Sequence, residues 1–188
     1  WSRIQDAQGN YKWRGVDFSS QSDTSLESPD IDVSQNGSFV FTFEHSYKFE
    51  TDGNPPTYWD GAVIEITSDG GATWTDVSQF TSPGYGGVIG TPNNDGQNPL
   101  GGKQGYVNQN AGYPAMVPVT LNFGSAMAGK TVRLRFRIGS DLGAGAPGWQ
   151  IDNMGVLFAT NTPFSQVVPD DGQCNGVPAA SAGPDQTA

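Results

Sequence analysis

Large apolar and smaller or polar side chains alternate along much of this chain with a period of two. Phe39, Phe41 and Phe43 lie on one face of their segment, and residues 62–67 and 131–139 repeat the pattern. Alternation of this kind is typical of an antiparallel strand with one face against a core. It therefore predicts three central strands of an all-β protein.

Weaker runs extend the pattern, and pairs of turn-forming residues separate them, among them Asn36-Gly37 and Pro147-Gly148. No stretch shows a convincing period of 3.6. We expect an antiparallel two-sheet jelly-roll sandwich of roughly eight or nine strands. The further strands are predicted over Lys12–Phe18, Leu26–Val33, Thr73–Phe80, Val117–Phe123 and Trp149–Phe158.

The amino-acid composition also supports an all-β fold. The 188 residues include 26 glycines and 13 prolines, and only 15% are charged. Such a chain suits short strands joined by turns, and it is neither a coiled coil nor a charge-rich disordered segment. We expect a jelly-roll module over residues 1–164 and a Pro-, Ala- and Gly-rich linker over residues 165–188.

The charge balance excludes a polyanionic partner. Nine basic against 19 acidic residues give a net charge of −10, whereas nucleic-acid binding depends on clustered Lys and Arg. Arg133, Arg135 and Arg137 alternate along one strand, and we interpret them as a solvated sheet face. No run is long and apolar enough to cross a membrane.

The scarcity of histidine and cysteine excludes several catalytic sites. His45 is the only histidine and Cys174 the only cysteine, so a two-histidine zinc helix and an intrachain disulfide are both impossible. No Gly-x-Ser-x-Gly motif accompanies His45, and we interpret it as a structural residue on a strand. The chain begins at Trp1 without a signal peptide, as expected of a mature or excised piece, and its composition favours a secreted bacterial protein.

Thr67-Ser68-Asp69-Gly70-Gly71-Ala72-Thr73-Trp74 fits the Asp-box pattern. In such a turn the aspartate accepts hydrogen bonds from the backbone and a glycine supplies a positive φ. A sialidase propeller would need several copies, and the chain has one. The motif therefore predicts a hairpin turn and no activity.

Four acidic residues lie where predicted strands meet their loops: Glu50, Asp60, Asp141 and Asp152. If these connections meet at one end of the sandwich, the carboxylates converge and repel each other unless a hard cation lies between them. Calcium suits such a set, because it takes 6–8 oxygen ligands. We therefore expect a structural Ca²⁺; the alternative is four solvated loop carboxylates.

Two other functions remain open from the residues. Glu44 and Glu65 could face each other on neighbouring strands as the carboxyl pair of a glycosidase, although outward-facing side chains explain them equally well. Trp59, Tyr85, Tyr106 and Tyr113 could bind sugar rings as a carbohydrate-binding module, or they could close the core. Three of these aromatics lie in the glycine-rich segment Thr81–Tyr113 or at its end, which either forms a functional surface or caps the sandwich.

The order of several motifs resembles the MAM-like jelly-roll modules of secreted bacterial metallopeptidases of the immune-inhibitor-A and fungalysin types. The segments that carry this resemblance are Ser25–Asp32, Tyr47–Glu50, Asp60-Gly61, Ser68–Trp74, Arg133–Arg137 and Gly148–Asn153. The resemblance implies a non-catalytic module that binds calcium, stabilises its parent protein and contacts substrate or neighbouring domains. Its acidic positions would be Glu50, Asp60, Asp141 and Asp152.

The last residues, Ala182-Gly183-Pro184-Asp185-Gln186-Thr187, resemble the opening of a bacterial immunoglobulin-like repeat of the PKD kind. Together these features predict an extracellular accessory module. Its expected partners are neighbouring domains of the same polypeptide and a protein or polysaccharide ligand.

Overall fold

The computed structural model describes residues 1–53, 56–90 and 97–164. The predicted linker, the PKD-like opening and Cys174 lie outside these described residues.

The described residues form strands, joined by turns and one short 3₁₀ turn, Val77–Gln79. None of these ranges contains an α-helix, and none contains a helix long and apolar enough to span a membrane. The strands are β1 (Ser2–Gln5), β2 (Tyr11–Gly15), β3 (Ser22–Glu27), β4 (Ile31–Asp32), β5 (Phe39–Lys48), β6 (Thr51–Asp52), β7 (Thr57–Tyr58), β8 (Gly61–Thr67), β9 (Thr75–Asp76), β10 (Gly87–Val88), β11 (Gln104–Gly105), β12 (Val117–Gly124), β13 (Thr131–Ser140) and β14 (Gly148–Leu157).

Two five-stranded antiparallel sheets dominate the described structure. The first has the order β1-β2-β14-β5-β12. The second has the order β3-β13-β8-β9, with β4 paired to the end of β13. The prediction of an all-β antiparallel architecture is confirmed, and the jelly-roll connectivity stays a prediction.

The two sheets pack face to face through aromatic side chains. Phe43 of β5 meets Phe136 of β13 edge to face, with ring centroids 5.3 Å apart. Trp149 of β14 meets the same Phe136 ring at 5.5 Å. Because these rings come from opposite sheets and are almost fully buried, the core lies between the sheets, as in a β-sandwich.

Two predicted strands are shorter or split. The run Leu26–Val33 divides into β3 and β4 at Ser28 and Pro29. There the Ser28 hydroxyl accepts a hydrogen bond from the backbone N–H of Leu134, which replaces a ladder bond of the sheet. The run Thr73–Phe80 ends as a strand at Asp76, whose carboxylate accepts the N–H of Ser78 and so caps the 3₁₀ turn.

The Asp-box segment forms the predicted turn. Asp69 accepts hydrogen bonds from the Thr73 N–H at 2.9 Å and from the Thr67 hydroxyl at 2.7 Å. Gly70 and Gly71 both have positive φ. The Trp74 ring extends beyond the turn and lies over the guanidinium of Arg135, 4.2 Å from the ring centroid.

The arginine face of β13 differs from the solvated face expected. Glu65 of β8 is 2% exposed and forms ion pairs with Arg135 at 2.6 Å and with Arg137 and Lys103 at 3.4 Å. Lys103 belongs to the long segment 81–113, so this segment covers part of the face. Burial of Glu65 makes the arginines its structural partners, because a buried carboxylate needs compensating cations.

Candidate metal centre

One end of the sandwich brings together residues from four connections. Strands β8 and β13 pair with Gly61 opposite Gly139, so their ends coincide. Asp60 immediately precedes β8, and Asp141 immediately follows β13. Glu50 follows β5, and Asp17 follows β2.

Glu50, Asp60 and Asp141, here called the acidic triad, lie close enough to share one ion. Each offers a carboxylate oxygen, and these oxygens lie within 4.8 Å of one another. Two ligands on opposite sides of one Ca²⁺ are separated by about 5 Å, since each Ca–O distance is about 2.4 Å. The donor set contains only carboxylates, which suits a hard cation.

Each member of the triad has a buried oxygen without a hydrogen-bond partner among the described residues. These atoms are Glu50 Oε2, Asp60 Oδ2 and Asp141 Oδ1. Asp60 is 0% exposed and Asp141 is 5% exposed. Buried polar atoms are almost always paired, and a buried carboxylate oxygen without a partner is costly. A cation bound between the three would supply the missing interaction.

The loop after β13 covers the triad without filling it. An ideal Cβ built on Gly143 would lie 3.1 Å from Asp141 Oδ1 and 3.2 Å from Glu50 Oε2. These are two of the three unpartnered oxygens. Glycine at this position therefore leaves open the space next to both atoms.

The electrostatics of the site favour protonation when no cation is present. Burial, followed by the neighbouring Asp17 and Asp141 carboxyls, raises the pKa of Asp60 to about 9. Burial is also the main cause that raises the pKa of Asp17, Glu50 and Asp141, and for Glu50 the charges of Asp141 and Asp17 add to it. At neutral pH Asp60 is therefore protonated in the metal-free fold.

Asp17 is a residue that the sequence analysis missed. It is 3% exposed, and its carboxylate accepts hydrogen bonds from the Ser140 hydroxyl at 2.8 Å and from the N–H groups of Glu50 and Ala146 at 3.1 Å. It therefore fastens three connections around the triad. The predicted strand Lys12–Phe18 enclosed Asp17, whereas β2 ends at Gly15, so the position of Asp17 beyond a strand end was not visible in the sequence pattern.

Asn98 anchors the segment 81–113 to the same site. Its buried side-chain amide donates to the Trp59 carbonyl at 2.8 Å, the Gly139 carbonyl at 2.9 Å and Asp60 Oδ1 at 3.3 Å. Its own Oδ1 accepts the Leu100 N–H at 2.8 Å. The described residues around Asn98 are thus fastened to the surroundings of the site.

Asp152, the fourth predicted ligand, is not part of the triad. It lies within β14 opposite Glu44, and its Oδ2 accepts a 2.7 Å hydrogen bond from the Asn10 side chain. Its Oδ1 accepts the Asn153 N–H at 2.8 Å. Both oxygens therefore have protein partners, whereas each triad carboxylate has one oxygen without a partner.

Two of the four predicted aromatic ligand-binding residues, Tyr85 and Tyr106, pack against the core. Tyr106 is 1% exposed and donates its hydroxyl to the Pro83 carbonyl. Tyr85 is half-buried against Tyr106, and its hydroxyl accepts the Ile64 N–H at 2.8 Å. Trp59 is half-buried beside the triad, and half-buried Tyr113 lies 5.9 Å from the Lys48 ammonium. Tyr85 and Tyr106 close the core, so neither offers a ring face at the surface for a sugar.

The proposed glycosidase pair is not brought together on neighbouring strands. Glu44 lies on β5 of the first sheet, whereas Glu65 lies on β8 of the second. Glu44 accepts a hydrogen bond from Asn153, and Glu65 is held by arginines. His45 is 3% exposed and accepts the Trp149 indole N–H at 3.2 Å, in keeping with a structural role.

No model of a known protein family matches the chain, and a search of curated proteins finds none that is significantly similar.

Proposed function

We propose that this chain is a non-catalytic accessory module of a larger secreted protein, stabilised by one Ca²⁺ held by the acidic triad. The observation that carries the proposal is the presence of three buried, unpartnered carboxylate oxygens in the same cluster. Without a cation, this arrangement is unfavourable because three acidic groups share a buried space. A cation bound between them would attract all three carboxylates and offset their mutual repulsion.

Calcium is the proposed ion because of the ligand type and the setting. The triad supplies oxygens only, and backbone carbonyls, where they complete the set, are ligands of the same kind. Magnesium demands a near-ideal octahedron and retains water, whereas Ca²⁺ accepts irregular sets of 6–8 oxygens. Calcium is also abundant outside cells, where we place this module.

The parent protein is proposed to be a secreted metallopeptidase. This part rests on the ordered motifs of the sequence and on the resemblance they carry. A cation that fastens the ends of β5, β8 and β13 would give the module a rigid end. Such an end suits contact with a neighbouring domain of the same polypeptide or with a substrate.

Metal analysis of the purified chain tests the metal part of the proposal. The protein is stripped with chelator, dialysed against Ca²⁺ or Mg²⁺ in metal-free buffer and analysed for bound metal. We expect one Ca²⁺ per chain and retention of Ca²⁺ in the presence of excess Mg²⁺. Less than one tenth of an equivalent at millimolar free Ca²⁺ would refute the site.

The absence of catalysis is tested separately. The purified module, with Ca²⁺ added, is incubated with a protein substrate and with a panel of polysaccharides, and products are measured. We expect no turnover. Hydrolysis that disappears in Glu65→Gln or Glu44→Gln would instead establish an enzyme.

A further inference from the structure

A second site lies away from the acidic triad. A cavity of about 330 Å³ opens between β5, β12 and the segment 81–113. Its volume is at the small end of the range of roughly 300–1,000 Å³ for ligand cavities, which suits a ligand of one or two rings. Its lining residues include His45, Tyr47, Ser82, Pro83, Tyr106 and Val119.

Two buried side chains in this cavity have unused hydrogen-bond donors. The Trp149 indole N–H donates to His45 Nδ1, so the neutral ring carries its proton on Nε2. Burial lowers the pKa of His45 to about 4, and the ring is therefore neutral at pH 7. Among the described residues, none accepts a hydrogen bond from His45 Nε2 or from the Tyr47 hydroxyl.

Although both residues are mostly buried, neither donor atom is among the fully enclosed polar atoms that lack a partner, so both are accessible from the cavity. His45 is 3% exposed and Tyr47 is 7% exposed. In contrast, the neighbouring Tyr106 hydroxyl donates to the Pro83 carbonyl, and the Asn110 amide donates to the carbonyls of Ala111 and Ala115. The polar side chains of Tyr106 and Asn110 thus have protein partners, whereas the donors of His45 and Tyr47 are free to bind an occupant.

The lining also defines the charge of the occupant. None of the residues that line the cavity carries a formal charge at pH 7. The chain as a whole has a net charge of −10, which disfavours an anion. Val117, Pro118 and Val119 of β12 are at least partly exposed and supply apolar surface beside the donors.

We propose that this cavity binds an uncharged sugar residue, with His45 Nε2 and the Tyr47 hydroxyl donating to its oxygens and the apolar wall packing against its C–H face. A pyranose combines several acceptor oxygens with an apolar face, so it matches both kinds of lining. The site uses neither the acidic triad nor stacking on exposed loop aromatics. It is therefore independent of the calcium proposal.

The test is a titration of ¹⁵N-labelled protein with the methyl glycosides of glucose, galactose, mannose and N-acetylglucosamine. Glucuronic and galacturonic acid serve as charged counterparts. We expect at least one neutral glycoside to shift the amide signals of residues 45–47, 82–84 and 117–120, and the acids to bind at least tenfold more weakly. No shift at these residues with any of the four neutral sugars at 50 mM would overturn the proposal.

Tyr47→Phe removes one donor without removing the ring. Because the hydroxyl has no partner in the protein, we expect an unchanged unfolding temperature and an affinity about fivefold weaker. Tyr58→Phe is the matched control, since Tyr58 lies outside the cavity. Equal affinities for wild type and Tyr47→Phe would contradict the proposed role of the hydroxyl.

Ser82→Phe provides a second variant that leaves the buried residues intact. Ser82 is exposed at the cavity rim, so a phenyl ring there fits outside the core and narrows the entrance. We expect the sugar-induced shifts to disappear while the remaining spectrum stays folded. Unchanged shifts would place the sugar elsewhere and overturn the site.

Discussion

The backbone N–H of Asp141 donates a 2.7 Å hydrogen bond to Oδ1 of Asp60. This bond connects the residue after β13 to the residue before β8, at the end where these two strands pair. It leaves Asp60 Oδ2 and Asp141 Oδ1 without protein partners. Asp60 is thus held through Oδ1 and Asp141 through its backbone N–H, and each keeps one carboxylate oxygen available to a cation.

Asp60→Asn separates the fold from metal binding. Because the raised pKa keeps Asp60 protonated at neutral pH without metal, a neutral amide should be tolerated in the metal-free protein. We expect the unfolding temperature in chelator to change by no more than about 3 °C and the stabilisation by calcium to be lost.

Asp152→Asn is the matched control for this variant, since Asp152 has protein partners for both oxygens and lies outside the triad. It should keep the full response to calcium. A loss of the response in Asp152→Asn, with retention in Asp60→Asn, would show that the ligands are wrongly assigned.

The stabilisation by calcium should increase with pH. Asp60 has a pKa of about 9 in the metal-free fold against an ordinary value of 3.8, so between these values the native state binds more protons than the unfolded chain. Metal-free stability therefore falls as pH rises through this window. Calcium displaces the proton, and its affinity should rise by up to about tenfold per pH unit. Titration calorimetry at pH 6 and pH 8, in two buffers that differ in ionisation enthalpy, measures the proton released on calcium binding. A calcium affinity that does not change with pH would contradict the assignment of Asp60 as a ligand.

Gly143→Ala should weaken calcium binding while the fold persists. The added methyl group would lie 3.1 Å from Asp141 Oδ1 and 3.2 Å from Glu50 Oε2, where it crowds the ion's ligands. We expect calcium binding to weaken by about 1–3 kcal/mol, the usual cost of overpacking. Gly86→Ala is the control, because its Cβ would make only an ordinary contact, at 3.7 Å from Val107. Equal calcium affinities for both variants would argue against the placement of the ion.

Asn98→Ala should destabilise the protein with or without calcium. The substitution leaves the buried carbonyls of Trp59 and Gly139 without their amide donor. We expect a loss of about 2 kcal/mol in the free energy of unfolding, measured by urea denaturation. The exposed Asn36→Ala should stay within about 0.5 kcal/mol of wild type. A neutral Asn98→Ala would mean that the segment 81–113 is not anchored at this point.

The all-β fold class and all three residues of the acidic triad could be predicted from the sequence. Alternation located β5, β8 and β13, and the acidic triad consists of the acidic residues just outside the ends of these strands. Asp152 does not join the triad because β14 already begins at Gly148, so Asp152 lies inside the strand and not at its end. Four residues of extended chain move Asp152 about 13 Å from the strand end, into the body of the sheet.

Other features depend on contacts between distant parts of the chain. Burial of Glu65 requires Lys103 to fold back over β8, and no local pattern encodes that approach. The anchoring of Asn98 and the cavity beside Tyr47 likewise depend on the path of the segment 81–113. A glycine-rich segment carries little periodicity, so its path becomes visible only in three dimensions.

Thermal unfolding of metal-free protein, with and without calcium, tests the central claim most directly. A ligand that binds only the native state at a hundred times its Kd stabilises it by about 2.7 kcal/mol. For a chain of this size we expect the midpoint to rise by about 5–10 °C in calcium and to return to its starting value in excess chelator. An unchanged midpoint at millimolar Ca²⁺ would contradict the account and leave the acidic triad as buried carboxyls held neutral by protons.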